Sequence, residues 1–169
     1  MPVTPTTPVP PITPAAPTSV GPIPPTIPPP SQPCAAGVMK LTAQPSDGAM
    51  GSIYTPLLLA NTGAAACTVS THLVLSFLDS NGQTIGVSVT TPEAAGPSLI
   101  TLGPVESRQT VLRYAQSGNL DCQPIATPTT AQLIVNQTEA LTLPPSVWPL
   151  CADRLADQVT LGDLEAPSP

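Results

Sequence analysis

The fold is decided by the stretch GSIYTPLLLANTGAAACTVSTHLVLSFLDSNGQTIG, residues 51–86. It contains two apolar runs separated by glycine and cysteine, and the turn-forming Ser80-Asn81-Gly82 follows the second run. In an extended chain, alternate residues share one face. Each run has an apolar face of this kind, made of Ile53, Leu57 and Leu59 in the first run and of Leu73, Leu75 and Phe77 in the second. The stretch therefore predicts two core strands, the second of which ends in a tight hairpin.

After Cys34, short apolar runs alternate with turn residues about every ten residues, which is typical of a β-sandwich. We therefore predict an all-β fold, an immunoglobulin-like antiparallel β-sandwich. Pro56 cannot donate to a ladder, so its strand should lie at an edge or be bulged there. One helical turn is predicted at Ala152–Asp157. The predicted strands are Val38–Ala43, Gly51–Asn61, Thr71–Asp79, Thr84–Thr90, Ser98–Leu102, Arg108–Ala115, Ala131–Asn136, Glu139–Leu143 and Gln158–Leu164.

Proline content divides the chain into a linker, a domain and a tail. Of the 26 prolines, 14 lie in residues 1–33, a segment without any charged residue, aromatic residue or leucine. Proline restricts φ and pushes the preceding residue to extended conformations. We expect residues 1–33 to form a disordered, polyproline-II-like stalk that reaches roughly 100 Å when extended. Its threonines suit O-glycosylation. Residues 34–164 are the predicted domain, and residues 165–169 a disordered tail.

Four cysteines, Cys34, Cys67, Cys122 and Cys151, are widely spaced without any C-x-x-C pair. This spacing favours disulfides over a zinc site or thioredoxin-like chemistry. Three pairings are possible. We favour Cys34–Cys67 with Cys122–Cys151, because each bridge then closes a loop of roughly 30 residues and contributes about 3 to 4 kcal/mol. Disulfides persist in oxidising compartments, so we expect an extracytoplasmic protein, secreted or associated with the cell envelope.

The charge balance excludes one class of partner, because four Lys and Arg stand against ten Asp and Glu. So few cations form no basic stripe for phosphates, and we expect no nucleic-acid partner. No apolar run reaches the roughly 18 residues of a membrane-spanning helix, so no transmembrane segment is expected. Residues 1–4 lack the basic and apolar regions of a signal peptide, and we expect that a native export signal has been removed.

A longer pattern carries a family resemblance. It reads Cys34…Leu41…Gly51-Ser52-x-Tyr54…Leu59-x-Asn61-Thr62-Gly63…Cys67-Thr68-Val69…Phe77-x-Asp79-x-x-Gly82…Gly86…Leu102-x-Pro104…Cys122-x-Pro124…Leu133-x-Val135…Cys151. This pattern resembles an actinobacterial exported domain of unknown function, commonly carried on lipoproteins or secreted proteins behind a Pro/Ser/Thr-rich linker. The resemblance implies a four-cysteine β-sandwich, an envelope setting and the same disulfide pairs. No lipobox precedes Cys34.

Few residues suit catalysis or metal binding. His72 is the only histidine, so a nucleophilic triad would have no second base, and we expect His72 to face solvent or cap a loop. The Asp79–Gly82 segment resembles the start of a calcium loop, but it lacks the later acidic ligands, and we favour a hairpin. The pairs Asp153/Asp157 and Asp163/Glu165 lack the aromatic platform of a glycosidase site. We predict no catalytic, cofactor or metal site.

The residues therefore favour a non-enzymatic, extracytoplasmic binding or structural module whose partner is an envelope protein or a glycan. The candidate contact loops are residues 61–66, 93–97 and 144–149, with Asn61, Glu93 and Trp148 as candidate contacts. Trp148 can instead pack over the Cys122–Cys151 bridge, and we favour this packing role. One alternative is a secreted hydrolase, or a subunit of one, which would need surface carboxylates or His72 to converge in a pocket. Another is a mechanical spacer or coat component.

Overall fold

The structure is a computed structural model, and it describes residues 1–2, 32–92, 98–116, 118, 120–122, 125–137, 139–143 and 149–167. Several of the expectations above concern residues outside this set. They are the conformation of most of the proline-rich stalk, and the contact roles of the loop of residues 93–97 with Glu93 and of residues 144–148 with Trp148.

The described part is an all-β domain with thirteen strands and one short helix. The strands are β1 Met39–Ala43, β2 Asp47–Ala49, β3 Ser52–Asn61, β4 Cys67–Ser70, β5 Val74–Leu78, β6 Val89–Thr90, β7 Leu99–Leu102, β8 Ser107–Ala115, β9 Ile125–Ala126, β10 Thr130–Val135, β11 Glu139–Leu143, β12 Leu150–Cys151 and β13 Val159–Leu161. The helix, α1, is Leu155–Gln158, and a 3-10 turn covers Ala36–Val38. Each of the nine predicted strands overlaps an observed strand, although the fourth and the last are much shorter than predicted, the last in part because Gln158 ends α1.

One sheet has the order β1-β3-β8-β13, and β2 also pairs with β3. Of the two alternatives predicted for Pro56, the edge strand is wrong, because β3 lies inside this sheet, and the pairing is instead interrupted locally on one side of β3. Pro56 is tolerated because the strand that pairs with β3 changes at this point. The pairing with β1 extends along β3 as far as Leu57, and the pairing with β2 involves Tyr54 and the residues before it. The Pro56 carbonyl accepts a bond from Gln44 N on this side, so a backbone N–H of residue 56 would not face β8.

The second sheet has the order β11-β10-β5-β6. The hairpin predicted after β5 is confirmed: Asp79 N bonds Gln83 O, Gly82 N bonds Asp79 O, and Gly82 has a φ of 77°. This is the three-residue loop that ends in a left-handed glycine. Beyond it only two residues of the predicted fourth strand form β6, because Gly86, at a φ of 64°, redirects the chain.

The two sheets face each other as an immunoglobulin-like sandwich. In that nomenclature, β1, β3 and β8 take the places of strands A, B and E, and β5, β6, β10 and β11 those of C, C′, F and G. Strand β1 lies beside β11, and β13 beside β6, so the sheet edges meet on both sides. The core between the sheets includes the predicted leucines and Phe77, whereas Ile53 is only partly buried.

The sandwich has two ends, each with one of the predicted disulfides, which are both confirmed. The first end lies where β3 ends and β8 begins, and it carries Cys34–Cys67. The second end lies where β3 begins and β8 ends, and it carries Cys122–Cys151. Glu165 exchanges two backbone bonds with Gln109, so this residue belongs to the ordered domain and not to the predicted tail.

Candidate functional site

Strand β4 joins the N-terminal segment to the first end. Thr68 N donates to Gln32 O, and Cys34 N donates to Thr68 O, both at 2.8 Å, so residues 32–34 run parallel to β4. The Cys34–Cys67 bridge ties the same two segments covalently. Gln32 and Pro33 therefore already pair with β4, although they precede the predicted domain boundary at Cys34.

The rest of this edge of β4 is covered by a side chain. Asn136 follows β10 at a φ of 51°, in the left-handed region that asparagine tolerates. Its Oδ1 accepts from Ser70 N at 2.8 Å, and its Nδ2 donates to the carbonyls of Cys34 and Thr68. The Asn136 amide thus continues the pairing that residues 32–34 begin, as a further backbone unit would do.

Asn61 organises the loops of the first end. The side chain is fully buried. Its Nδ2 donates to the carbonyls of Ala65, Leu102 and Gly103 at 2.8 to 3.2 Å, and its Oδ1 accepts from Gly63 N at 2.9 Å. Because a buried polar group must be satisfied internally, this amide fixes the loops after β3 and after β7 relative to each other.

Next to Asn61, the segment Gly103–Glu106 forms a β-turn with a strained residue. Glu106 N donates to Gly103 O at 3.1 Å, and Val105, the third residue of the turn, has a φ of 63°. Glycine or asparagine usually occupies this position. A β-branched residue in the left-handed region costs about 1 to 2 kcal/mol, and Val105 nevertheless exposes 85% of its surface.

Three loop segments form a surface at this end, which we call the apolar platform: residues 35–38, 62–66 and 103–105. None of these residues carries a charge, and most of them are exposed. Thr62 donates from its N–H and its hydroxyl to Val38 O, and Val105 N donates to Asn61 O. A Cβ on Gly63 would lie only 3.3 Å from Val38 Cβ, so glycine permits the close packing of the first two segments.

The interpretation of Asn61 as a contact residue needs correction. A fully buried amide that bonds four backbone groups offers nothing to a partner, so Asn61 supports the contact surface and its neighbours form it. Within the predicted loop of residues 61–66, Thr62 and residues 64–66 are exposed. Sequence reasoning missed Val105, since nothing in Gly-Pro-Val-Glu distinguishes an exposed valine from a core one.

At the second end, side chains of Gln158 and Tyr114 hold the segment around Pro149 by hydrogen bonds. Gln158, also fully buried, accepts from Cys151 N at 2.7 Å and donates to Pro149 O at 3.0 Å. The Tyr114 hydroxyl donates to the same Pro149 carbonyl at 2.8 Å. At this end Met50 also lies in the left-handed region, with a φ of 50°, in the two-residue turn before β3, and its side chain is fully exposed.

His72 and Asp79 lie at opposite ends of the domain. His72 precedes β5 at the first end and Asp79 follows it at the second, about 23 Å apart along an extended strand. Backbone N–H groups of Gln83 and Asn81 donate to Asp79 Oδ1 and lower the pKa of this exposed carboxyl. Arg154 pairs with Asp157 at 3.5 Å on the surface. Among the described residues, no group of three His, Cys, Asp or Glu side chains could hold a metal.

A shallow groove of about 480 Å³ lies between β6 and β13. Hydroxyl-bearing and aliphatic residues line it, including Thr90, Thr91, Val159 and Thr160, and no titratable side chain does. The groove therefore brings none of the sequence-predicted candidate residues together. In the part of the chain that the structure describes, no helix is long and apolar enough to cross a membrane.

Fold and site define a class: a two-disulfide β-sandwich whose first end presents a rigid, uncharged surface. Residues 34–165 match the family described as "Domain of unknown function (DUF4232)", and because the match covers most of the chain, the protein belongs to this family. Among curated proteins, none matches the sequence. The family match begins at Cys34 and ends at Glu165, the residue that pairs with Gln109.

Proposed function

We propose that this protein is a non-enzymatic, extracytoplasmic binding module of the cell envelope, and that it binds a protein or glycan partner through the apolar platform. The observation that carries the proposal is the exposure of Val105 in a left-handed conformation. Strained backbone persists where the surrounding structure enforces it, and such positions concentrate at functional sites.

The surroundings of Val105 support this role. Its N–H is bonded to Asn61 O, and the flanking Glu106 accepts from Gly103 N at 2.8 Å and pairs with Arg108 at 2.8 Å. The backbone that carries the Val105 side chain is therefore fixed before any partner arrives. A preorganised apolar residue loses little conformational entropy on binding, so a small surface can contribute usefully to affinity.

The extracytoplasmic setting is supported by the two disulfides, which use all four cysteines. We expect the protein isolated from its source, without reduction, to resist alkylation at every cysteine. Mass spectrometry of the intact protein with and without a reductant measures this. Four alkylated thiols in the unreduced protein would contradict the proposed compartment.

Val105→Gly tests the platform. Glycine relieves the backbone strain but adds chain entropy to the unfolded state, so the free energy of unfolding should stay within about 1 kcal/mol of the parent. The variant removes the exposed isopropyl group, and we expect it to lose partners that the parent captures from a cell-envelope extract. Separate analysis of the captured protein and carbohydrate distinguishes the two partner classes.

Met50→Gly is the matched control, because it replaces an exposed apolar residue at a φ of 50° at the second end. Met50→Gly should capture the same partners as the parent. If Val105→Gly also captures them undiminished, the platform is not the binding surface.

A further inference from the structure

A second feature of the first end concerns β7 and is independent of the apolar platform. Strand β7 pairs with β4 on one side only. Leu99 and Thr101 are exposed, with 71% of the Leu99 surface accessible, whereas Leu102 is buried. Strand β7 therefore has one face on the domain and one face in solvent, and within the described residues no strand pairs with its outer edge.

The direction of the backbone groups of β7 follows from its pairing with β4. Thr71 N donates to Ser98 O, so residues 98, 100 and 102 direct their N–H and C=O groups towards β4. Leu99 and Thr101 consequently direct theirs outward. The same alternation on β4 places the outward groups at Thr68 and Ser70, where residues 32–34 and Asn136 do bond them.

Other sheet edges are covered or short. The edge of β1 lies beside β11, and that of β13 lies beside β6. Strand β2 has only three residues and carries the exposed Asp47. Natural proteins protect open edges with charges, prolines or bulges. The segment Ser98–Leu102 contains no charged residue and no proline, and its exposed leucine adds apolar surface to an open edge.

We propose that β7 pairs with β7 of a second copy of this chain, antiparallel and symmetric about Ile100. In this register Leu99 of each copy lies opposite Thr101 of the other. The outward N–H and C=O groups of both residues would then bond across the two-fold axis, which satisfies all of them at once. The exposed Leu99 side chains would be covered by the neighbouring strand, and no like charges would oppose each other.

Thr101→Pro tests this pairing, because it removes an outward N–H and leaves the bonds to β4 intact. Each symmetric dimer would lose two hydrogen bonds, so we expect the dissociation constant to rise about thirtyfold. Thr101→Ala is the matched control, since it keeps the N–H, and it should associate like the parent. Sedimentation velocity over a concentration series measures association, and circular dichroism with thermal melting checks folding.

Leu99→Lys gives a second test that does not alter the backbone. It puts a cation on the open edge, as natural edge strands do, and should also weaken association. Hydrogen exchange locates the interface, because the amides of Leu99 and Thr101 should become protected as the concentration rises. Val105→Gly should associate like the parent, which separates this inference from the proposed function of the platform.

A parent protein that stays monomeric over the whole series overturns the inference, and so does equal association of Thr101→Pro and Thr101→Ala. Association with protection at other amides also overturns it.

Discussion

The two ends of the sandwich differ in how far apart along the chain their hydrogen-bonded residues lie. Each combines a disulfide with a buried carboxamide side chain that bonds backbone groups of the adjoining loops and strand ends. At the second end, Gln158 reaches Cys151 and Pro149, nearby in sequence. At the first end, Asn61 reaches Leu102 and Gly103, and Asn136 reaches Cys34.

The difference shows how an amide side chain can replace a backbone partner where the hydrogen bonds between two strands end. A carboxamide has a donor and an acceptor in the same arrangement as a peptide unit, so it can complete the pairing of a loop or strand edge. At the second end this completes a single local turn. At the first end it joins segments that come from distant parts of the chain, and the resulting surface is rigid.

The largest expected effects test whether the two disulfides contribute equally to the free energy of unfolding. The Cys34/Cys67 and Cys122/Cys151 pairs are separated by 33 and 29 residues. Chain entropy therefore predicts that replacing either pair by alanine lowers the free energy of unfolding by about 3.6 kcal/mol. Denaturant titration of the two double variants measures this. A difference of several kcal/mol between them would show that packing, and not loop closure, sets their contribution.

Asn61→Ala should cost more than Gln158→Ala. The first change leaves three carbonyls and Gly63 N without this partner, and the second leaves Cys151 N, while Pro149 O keeps its bond from Tyr114. We expect losses of about 3 and about 2 kcal/mol, respectively. Urea unfolding of both variants measures the two losses. A larger loss for Gln158→Ala than for Asn61→Ala would mean that the hydrogen bonds of Gln158 contribute more to stability.

Gly86→Ala tests the close packing at the second end, where Gly86 lies against the turn after β12. An added Cβ would lie 2.5 Å from Ala152 O, and the φ of 64° disfavours any side chain. We expect a loss of about 2 kcal/mol in the free energy of unfolding. Gly82→Ala is the control, because its φ is 77° with no atom within 4 Å of the added Cβ. It should cost about 1 kcal/mol by thermal melting. Equal losses would contradict the close contact.

The smallest effect concerns pH and Asp79 at the second end. Because the bonds from Gln83 and Asn81 lower the pKa of Asp79 in the folded state, its contribution is present above the unfolded pKa. It is lost as the pH falls through the lowered folded pKa. We expect Asp79→Asn to show a weaker loss of thermal stability on acidification than the parent, and identical acid profiles would contradict this.

The sequence predicts the elements that follow from periodicity and covalent spacing. Both disulfides, the β-rich fold and the hairpin at Ser80-Asn81-Gly82 are confirmed. Strand β4 was not predicted, because Cys67–Ser70 is a short segment with one aliphatic residue, and its pairing with β7 depends on distant residues. For the same reason, a sequence pattern cannot reveal that Asn61 is buried.

The site is less predictable than the fold. The role of the loop of residues 61–66 as a contact surface stays a prediction; Thr62 and residues 64–66 are exposed, whereas the side chain of Asn61 is buried. Val105 and the outer edge of β7 emerge only from tertiary structure, because a left-handed φ and an unpaired edge leave no mark in composition. The expected roles of Glu93 and Trp148 stay predictions.

The attachment of residues 32–34 to β4 has a mechanical consequence. Tension on the N-terminal segment reaches Cys34 and passes through the disulfide to Cys67. The loop between the two cysteines, which contains β1, β2 and β3, is thereby bypassed. A pull on this segment cannot peel β1 away from β3 while the bridge is intact, so the force-bearing path starts at β4. Reduction of Cys34–Cys67 would move the load to β1 and lower the unfolding force.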